Sequence, residues 1–337
     1  MTQTVLAGAQ APAAGHGPVV VGDFDPGSAE WHAVRAAGIG GSEIAAVLGL
    51  SPYESPYSLW HRKQGMTAPV EETEPMYWGH VHEPGICTRF AELHPEYAVS
   101  AAATYAAAGR PWQIANPDRL LVPACDCGMH KPVCCDSEDC GPCCENCPTC
   151  PTLVRPPAAL LEAKTARTAE GWGAPGTDEI PVHYRAQCLW YLDVLGVSRC
   201  YVTVLIAGSE YREYVVDYDP AEAQILRDAG AAFMESLAAD DRPAIDGHTA
   251  TYQAIKALPD GLDDIDVEIA AELRDEYFAA LDTAKSADTE RRLLAALVLD
   301  EIGTGRRAVA AGRTVATRTV RDGRTHSLQP ARNRSAA

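Results

Sequence analysis

The sequence predicts an α/β fold in which helices flank a mixed central sheet of about five strands. Two observations predict it. Helix signals occupy the chain up to residue 93 and strand signals follow, and one helical segment separates the third predicted strand from the fourth. Because strands joined through a helix usually lie parallel, while strands joined by a short turn lie antiparallel, the sheet should be mixed.

The predicted helices before the strands each carry a start or stop signal. They span 28–38, 43–48, 56–64 and 75–93. Ser28 and Ser42 are suitable N-caps for the first two, because a serine side chain can accept a hydrogen bond from a free N–H of the first turn. Gly49 should end the second helix. Pro84 lacks an N–H group and should kink or break the fourth helix beside Glu83.

The later elements alternate between strands and helices. The predicted strands span 96–104, 112–122, 158–165, 199–208 and 210–219, and the predicted helices span 181–195 and 220–238. A long acidic helical region follows over 262–302. The alternating basic segment 313–330 contains the turn dipeptide Asp322-Gly323 and should form a terminal hairpin.

The length of 337 residues suits one large domain, or one domain with an appendage. We expect a disordered leader over 1–22, a main domain over 23–239 and a helical C-terminal region with a basic tail over 240–337. An apolar content of 47% predicts a sizeable core. No apolar run is long enough to cross a membrane, and the first residues lack the pattern of a signal peptide. We therefore expect a cytoplasmic protein without membrane contact.

The net charge of −18 argues against tight, non-specific binding to nucleic acid. The distribution of the charge weakens that objection. Much of the acid lies between Asp240 and Glu301, whereas 305–337 holds eight arginines and one acidic residue, Asp322. Because a local groove can differ in sign from the whole molecule, the total charge does not exclude a nucleic-acid substrate.

The segment "LEAKTA" places a carboxylate and an ammonium on one face of a predicted strand, because Glu162 and Lys164 are two residues apart. Asp118 lies near the end of the preceding strand. Two carboxylates on neighbouring strands can hold Mg²⁺, and a lysine beside them can position or deprotonate a water and stabilise developing charge. A phosphodiester hydrolase requires these parts. The alternative is a surface salt bridge on an edge strand, with Asp118 as a turn residue after Pro117.

The dipeptide "PD" at 117–118 and the tripeptide "EAK" at 162–164 resemble the PD-(D/E)XK nuclease motif. Four longer stretches occur in the order "GIGGSEIAAVLGLSPYESPYSLW", "YWGHVHEP", "LEAKTA" and "IPVHYRAQCLWYLDVLG". That order resembles the YqaJ-type viral recombinases, relatives of phage lambda exonuclease, and the resemblance covers about residues 30–237. The basic run "AVAAGRTVATRTVRDGRTHSLQP" is similar to the tail of the same family.

The resemblance implies a PD-(D/E)XK nuclease core within 23–239. That core would act as a 5′→3′ exonuclease on double-stranded DNA ends with Mg²⁺ or Mn²⁺, and would serve phage-type recombination. A single-strand annealing protein would be the natural partner by analogy. Lambda exonuclease is a ring-shaped trimer, so the resemblance also implies a homo-oligomer, with a trimer by analogy. If the chain is phage-encoded, it would work in the cytoplasm of the host bacterium.

The resemblance also assigns residues to the nuclease site. Glu83 becomes a helix-borne carboxylate, and Asp118 and Glu162 become the pair that bridges the metal. The backbone carbonyl of Ala163 adds a ligand, and Lys164 serves the attacking water. Taken alone, Glu83 can equally be a surface acid of its helix.

Two further assignments concern substrate contacts. Gln187 lies three residues after Tyr184 and four before Tyr191, so the three share a helix face. The family places such a glutamine beside the nucleophile. Arg35 and Ser42 stand where the lambda exonuclease pattern has an arginine and a serine that bind the terminal 5′-phosphate, and a guanidinium and a helix N-terminus both suit phosphate oxygens. The alternative is that Ser42 caps its helix and Arg35 is a solvated surface residue.

Nine of the twelve cysteines lie in one segment, 125–150, together with one histidine. The candidate ligands are Cys125, Cys127, His130, Cys134, Cys135, Cys140, Cys143, Cys144, Cys147 and Cys150. Three pairs have the C-x-x-C spacing that lets two thiolates bind one tetrahedral ion. We therefore expect a zinc-binding insertion between Asp118 and Glu162, where the family has little more than a hairpin. The alternatives are a disordered thiol-rich loop, or disulfides formed after cell lysis.

Cys144, Cys147 and Cys150 also form a C-x-x-C-x-x-C run, a spacing found at iron–sulfur clusters. We favour zinc because these cysteines lie in a single insertion, whereas the clusters of related nucleases use cysteines that flank the core. Three rival functions stay open. They are a restriction or repair endonuclease, an iron–sulfur resection nuclease, and a non-catalytic zinc-binding adaptor for DNA or protein on a nuclease fold.

Overall fold

The computed structural model describes residues 17–24, 27–124, 156–258, 261 and 263–331. The insertion 125–150, with its ten predicted metal ligands, lies outside these residues. By its contacts the chain divides into two compact units, Met1–Asp260 and Gly261–Ala337. In the described ranges no helix is long and apolar enough to cross a membrane.

Helices of the first unit come before, between and after its strands. The helices are α1 Ala29–Ala36, α2 Gly41–Val47, α3 Pro56–Lys63, α4 Glu74–Leu93, α5 Val182–Leu195, α6 Pro220–Ala238 and α7 Thr249–Ala257. The strands are β1 Val19–Gly22, β2 Ile39–Gly40, β3 Tyr97–Ala101, β4 Thr104–Ala107, β5 Arg110–Ala115, β6 Arg119–Pro123, β7 Ala159–Ala166, β8 Arg199–Ile206 and β9 Glu210–Asp217.

A five-stranded sheet in the order β3-β6-β7-β8-β9 forms the centre of the first unit. β7 and β8 are parallel and are joined through α5, whereas the other neighbours are antiparallel. The prediction of a mixed α/β fold, with a helix between two strands of the central sheet, is confirmed. The parallel pair fixes the site, because β7 carries Glu162 and α5 carries Gln187 above it.

A second sheet, in the order β1-β4-β5-β2, was not predicted. It arises because the predicted strand 112–122 divides at Asn116 and Pro117, so that β5 and β6 belong to different sheets. Pro117 cannot donate to a strand partner, and the Asn116 side chain bonds to Thr104 Oγ1 at 2.5 Å, so the chain leaves one sheet there and enters the other.

Residues 19–22, at the end of the predicted leader, form the edge strand β1, which pairs with β4. The predicted strand 96–104 likewise divides into β3 and β4, which pair in different sheets.

Helix α5 packs between the two sheets and supplies much of the core. Its residues from Ala186 to Leu192 are all buried, which is the pattern of a helix covered on every side. Trp190 is buried, and its Nε1 donates to the carbonyls of Ile39 at 3.2 Å and Ile114 at 3.0 Å. This contact ties α5 to the parallel strands β2 and β5 of the second sheet.

The helix ends agree with the sequence at some positions and differ at others. Ser28 caps α1 by accepting from Trp31 N at 3.1 Å. Ser42 is not the N-cap of α2. Gly40 holds that position, and the Glu43 side chain accepts from its N–H at 2.8 Å, so Ser42 lies in the first turn.

Proline inside α4 does not break the helix, which is continuous over Glu74–Leu93. The side chains around Pro84 are mostly solvent-exposed, so water can reach the carbonyl that loses its usual N–H partner.

The second unit contains α8 Ala271–Glu301 followed by β10 Arg307–Ala310, β11 Arg313–Arg321 and β12 Arg324–Pro330, which form an antiparallel sheet in chain order. The terminal hairpin is confirmed, and its turn has positive φ at Asp322 and Gly323, as a tight two-residue connection requires. The unit begins later than the predicted boundary at 239, because α7 belongs to the first unit, where Thr251 donates to Ser55 Oγ at 2.6 Å.

Candidate active site

Glu162 is the central residue of a polar cluster on the central sheet, and it is 0% exposed. Its Oε1 accepts from the backbone N–H of Asp118 at 3.1 Å. Its Oε2 accepts from Lys164 Nζ at 2.7 Å and from Gln187 Nε2 at 3.1 Å. The structure thus brings three predicted site residues, Asp118, Lys164 and Gln187, into contact with the carboxylate of a fourth, Glu162.

Asp118 reaches this cluster through the register of the sheet. β6 and β7 are antiparallel with Arg119 opposite Leu161, which sets Asp118 beside Glu162. Asp118 Oδ2 accepts from the Ala163 backbone N–H at 2.7 Å, while Glu162 accepts from the Asp118 N–H. Each carboxylate therefore accepts from a backbone N–H group beside the other, and Lys164 and Gln187 add two further donors to Glu162.

The charges of the cluster strongly affect one another. Burial, followed by the neighbouring charge of Asp118, raises the pKa of Glu162 to about 7. Burial opposes the charge on Lys164, but Glu162 and Asp118 raise the pKa of this lysine well above its usual value. Because a protonated ammonium cannot accept a proton, Lys164 suits the stabilisation of negative charge better than the role of a base.

Helix α5 supports the cluster from above with Gln187 and Tyr191. Gln187 Nε2 donates to Tyr191 Oη at 3.1 Å as well as to Glu162, and both side chains are buried. Residues four apart on a helix lie on one face, so the predicted sharing of a face holds for this pair. Lys164 Nζ lies 5.3 Å from the centre of the Tyr184 ring, which adds a cation–π contact to its ion pair with Glu162.

Glu83 lies on α4 and is connected to the cluster through an arginine. Arg119 donates to Glu83 Oε1 at 2.7 Å and to the carbonyl of Asp118 at 2.5 Å. Arg119 was not among the predicted site residues, although an arginine directly after a candidate catalytic aspartate is a usable signal. Glu83 is thus close to Asp118 but is ion-paired, and its role as a metal ligand stays a prediction.

The two central carboxylates fit a hard divalent cation. Their mutual repulsion contributes to the raised pKa of Glu162, and a cation between them would relieve it. Asp118 and Glu162 supply the oxygen ligands that Mg²⁺ and Mn²⁺ prefer. Across the described part of the chain, no group of three or more His, Cys, Asp or Glu side chains is arranged to hold a metal ion, so the third protein ligand stays a prediction.

A second polar cluster lines a cavity of about 610 Å³ in the first unit. Arg35 donates to Ser42 Oγ at 3.0 Å, and its guanidinium carbon lies 4.7 Å from the centre of the Trp31 ring. Apolar side chains, among them Met66 and Met76, line another part of the cavity. The structure brings Arg35 and Ser42 into contact, and their binding of a phosphate stays a prediction.

Glu43 organises the cations around this cavity, and sequence reasoning missed it together with two basic residues of α3. Glu43 is 2% exposed and lies 2.9 Å from Lys63, 3.0 Å from Arg62 and 3.4 Å from Arg35. Burial alone would raise the pKa of Glu43, but these three cations hold it at about 2. Among the residues that the structure describes, the three cations pair with two carboxylates, Glu43 and Glu54, so the cluster keeps a positive excess that suits an anion.

The two clusters are joined by the packing of α2 on α5. A Cβ added to Gly41 would lie 2.8 Å from Cζ of Tyr191, so only glycine allows this approach. Ser42 follows Gly41 in the chain, and Tyr191 bonds to Gln187, which bonds to Glu162. The cavity and the carboxylate cluster are therefore connected through a short chain of direct contacts.

Comparison with known proteins assigns the family. A family model described as the YqaJ-like viral recombinase domain matches residues 30–198. The chain belongs to this family. The YqaJ-like match extends from before Arg35 to beyond Gln187, so it includes every residue of both clusters. The resemblance that the ordered motifs carried is thereby confirmed.

Among curated relatives, the uncharacterized protein YqaJ of Bacillus subtilis (strain 168) is 27% identical over 247 residues. The match covers 67% of this chain and 62% of that protein, so this chain spans less than two thirds of its YqaJ relative. Among solved structures, the alkaline exonuclease LHK-Exo from Laribacter hongkongensis is 18% identical, with a TM-score of 0.45, over 68% of this chain and 98% of that one. The same exonuclease in complex with dAMP gives 16% identity and a TM-score of 0.43, over the same shares of the two chains.

Proposed function

We propose that this YqaJ-like chain is a metal-dependent deoxyribonuclease that degrades double-stranded DNA from its ends and serves recombination. The observation that carries the proposal is the buried Glu162 carboxylate, held by Asp118, Lys164 and Gln187. Glu162 and Lys164 form a buried ion pair on an internal strand, and burial of the two charges carries a desolvation cost. A surface salt bridge would avoid that cost, so the burial weighs against this alternative.

Each residue of the cluster has a definite part in the proposed reaction. Asp118 and Glu162 would hold the divalent cation, which when bound would supply Lewis-acid activation of water and of the phosphate. Lys164 keeps its proton and stabilises negative charge that develops on the phosphate oxygens. Gln187 fixes the orientation of Glu162 by donating to Oε2. Glu83 is the candidate for a further ligand if substrate or metal releases it from Arg119.

The cavity around Arg35 supports recognition of a 5′-phosphorylated end. Arg35 and Ser42 offer donors to phosphate oxygens, and the positive excess around Glu43 favours an anion. The cavity volume exceeds that of a phosphate, and its apolar wall suits a terminal nucleoside. Because Gly41 and Tyr191 connect this cavity with Glu162, a 5′ end held there would lie on the path to the carboxylates, in keeping with 5′→3′ polarity.

The remaining parts of the proposal rest on the sequence. Zinc would bind in the cysteine-rich insertion 125–150, where an iron–sulfur cluster is the alternative. A single-strand annealing protein would take over the resected strand, and the enzyme would be a homo-oligomer, a trimer by analogy with lambda exonuclease.

Incubation of linear and closed-circular duplex with the purified chain, in Mg²⁺ or in EDTA, tests the proposal. We expect Mg²⁺-dependent loss of linear DNA while the circle stays intact, and a strand labelled at its 3′ end should release its label last. Nicking of the circle would instead identify an endonuclease. Binding without cleavage of either form, at every metal tested, would identify a non-catalytic adaptor.

A further inference from the structure

The second unit carries a basic surface that the proposed active site does not use. Residues 305–331 hold six arginines and one carboxylate, Asp322, in a chain whose net charge is −18. The preceding helix α8 is acidic, with eight carboxylates and four basic residues. A basic sheet within an acidic protein therefore needs its own explanation.

Three of these arginines lie on one face of the sheet β10-β11-β12. Residues opposite one another on neighbouring strands share a face of the sheet. Three such pairs are Arg307 with Thr317, Thr319 with Ser327, and Arg321 with Arg324. Alternate residues of β11 point to the same side, which joins these pairs into one surface. We name it the arginine face, and it consists of Arg307, Thr317, Thr319, Arg321, Arg324, Ser327 and Gln329.

The opposite face of the sheet packs on the end of α8. Ala308 and Ala316 are buried there, and Arg318 donates to the carbonyl of Gly303 at 2.7 Å and to that of Leu299 at 3.3 Å. The arginine face thus points away from the acidic helix of its own unit, and the carboxylates of that helix do not cover it.

The arginines of this face lack the ion pairs that other surface arginines make. Arg199 pairs with Asp217, and Arg212 pairs with Glu210. Arg307, Arg321 and Arg324 are exposed and form no ion pair with any residue that the structure describes. In so acidic a chain, three exposed arginines on one face, with Asp322 in the turn as the one carboxylate of the segment 305–331, leave a positive potential available to an external anion.

The chemistry of the face selects among anionic partners. Arginine together with Ser, Thr and Gln side chains is the donor set that contacts phosphates of duplex DNA. The face has no aromatic residue, whereas proteins that bind single strands stack bases on aromatic rings. It also lacks the large apolar or aromatic anchors on which stable protein interfaces depend. A row of duplex phosphates fits these properties better than a single strand or a protein.

We propose that the arginine face is a second DNA-binding surface, which contacts the phosphate backbone of duplex DNA without reading its sequence. The choice of DNA as the anion rests on the proposed nuclease function, while the surface itself rests on the register, the exposure and the unpaired charges. The face would hold duplex DNA that the active site has not yet reached, and so would lower dissociation between cleavage events.

A binding experiment without cleavage tests the proposal. The full chain and the triple variant Arg307→Gln, Arg321→Gln, Arg324→Gln are titrated with labelled duplex in EDTA, at salt concentrations between about 50 and 200 mM. The logarithm of the DNA association constant falls linearly with the logarithm of the salt concentration, and each lost phosphate contact should make this slope shallower by about 0.9. We therefore expect a slope shallower by about two to three and an affinity reduced at least about tenfold. Two unrelated duplex sequences should respond equally.

Two further variants distinguish an effect of the arginine face from an effect of the net charge of the chain. The matched control Arg274→Gln, Arg291→Gln, Arg292→Gln removes as many charges from α8, where each arginine pairs with a nearby aspartate, and should leave the duplex affinity within about twofold. The triple Arg→Lys variant of the arginine face keeps the charge and should keep most of the affinity. Circular dichroism checks that all variants fold.

Several results would overturn the proposal. They are an unchanged salt slope in the Arg→Gln variant, an equal loss in the α8 control, or a loss confined to single-stranded DNA. A change in sedimentation mass with unchanged DNA affinity would show that the face binds another copy of the chain, and would also overturn it. Because binding is measured in EDTA, an enzyme that fails to cleave DNA but loses affinity in the variant would refute the nuclease and leave this surface standing.

Discussion

The buried carboxylate of Glu162 is the group at which the other residues of the candidate site meet. Its two oxygens accept from three groups, and burial with the charge of Asp118 raises its pKa to about 7. A carboxylate in this state binds either a proton or a cation readily, since both remove the cost of the buried charge. Removal of its charge should therefore affect the reaction more than the fold.

Loss of either central carboxylate should abolish cleavage. Glu162→Gln and Asp118→Asn each remove an anionic ligand while they keep the side-chain shape, so we expect Mg²⁺-dependent turnover to fall by at least about a thousandfold, with duplex binding largely unchanged. Lys164→Ala should also inactivate, but with unchanged metal affinity.

The matched control is Glu210→Gln, which changes an exposed glutamate on the same sheet and should leave turnover unchanged. Turnover like that of the unaltered chain in the Glu162 variant would refute the assignment of the site.

The cavity residue Arg35 should determine the preference for a phosphorylated end. Duplex with a 5′-phosphate should be degraded faster than duplex with a 5′-hydroxyl, and Arg35→Ala should remove that difference, because a charged hydrogen bond of about 1.5–3 kcal/mol is lost from the phosphate. The control Arg199→Ala alters an exposed ion pair with Asp217 and should keep the preference. Equal initial rates of the unaltered chain on the two ends would exclude a phosphate pocket.

Sequence reasoning found the residues whose spacing is local or whose motif is shared with a family. Glu162 and Lys164 follow from strand alternation, and Gln187 follows from the motif around it. Lys63 was not found, although its ammonium bonds to Glu43 at 2.9 Å and to the carbonyls of Arg35 and Gly38. A basic residue in the last turn of a helix is a common C-terminal signal, and its partner twenty positions earlier becomes visible only when α2 and α3 pack together.

At the scale of elements, the approach of α2 to α5 depends on a single glycine. Gly41→Ala would bring a Cβ to 2.8 Å from Cζ of Tyr191 and still nearer to Cε1, so we expect a loss of about 1–3 kcal/mol in the free energy of unfolding and a lower kcat, because Tyr191 and Gln187 must shift. The control Gly85→Ala lies in α4, where a Cβ meets nothing within 4 Å, and should stabilise the chain by about 0.5–1 kcal/mol. Thermal melts and steady-state kinetics measure both, and an equal response of the two variants would contradict the contact.

The stability that His94 adds where α4 meets the central sheet should depend on pH. This residue caps the end of α4, and its ring nitrogens bond to Glu96 at 2.9 Å and Glu213 at 3.0 Å. Burial works against the charged ring, but the two carboxylates raise the pKa of His94 in the folded state. The contribution of His94 to the free energy of unfolding is therefore fully present below the pKa of histidine in the unfolded chain. It is lost as the pH rises through the higher pKa of His94 in the folded chain.

His94→Gln should consequently lower the melting temperature most in mildly acidic buffer, and the difference from the unaltered chain should shrink at alkaline pH. Thermal melts across that range measure the effect, and a difference that grows with pH would contradict the ion pairs.

Some elements could not be predicted because their ends depend on tertiary partners. The strand signal 112–122 is continuous in sequence, yet it supplies two sheets, since β5 finds β4 and β2 whereas β6 finds β3 and β7. Ser42 is the better N-cap by residue type, but Glu43 already satisfies the Gly40 N–H, so the helix begins earlier. In both cases the local preference was real and a long-range contact or a neighbouring side chain outweighed it.

At the scale of the whole molecule, the insertion 125–150 should be separable from the rest of the first unit. The strands on its two sides are already paired, with Leu121 opposite Ala159 and the Ala158 N–H bonded to the Leu121 carbonyl at 2.8 Å. Replacement of 125–150 by a short turn should therefore remove one or two bound zinc ions while Mg²⁺-dependent cleavage persists. Elemental analysis and the linear-DNA assay measure the two effects, and freshly reduced full-length protein without zinc or iron would refute the metal site.

Asp118 stands where the chain passes from one sheet to the other, directly after Asn116 and Pro117, while Glu162 belongs wholly to the central sheet. Asp118 is thus bonded to β7 on one side and joined through Pro117 and Asn116 to the second sheet on the other. A shift of the second sheet would pull on Asp118 through these two residues while every helix and strand stayed intact. If the proposed nuclease activity depends on the position of Asp118, heat or pressure should abolish DNA cleavage before the secondary structure melts.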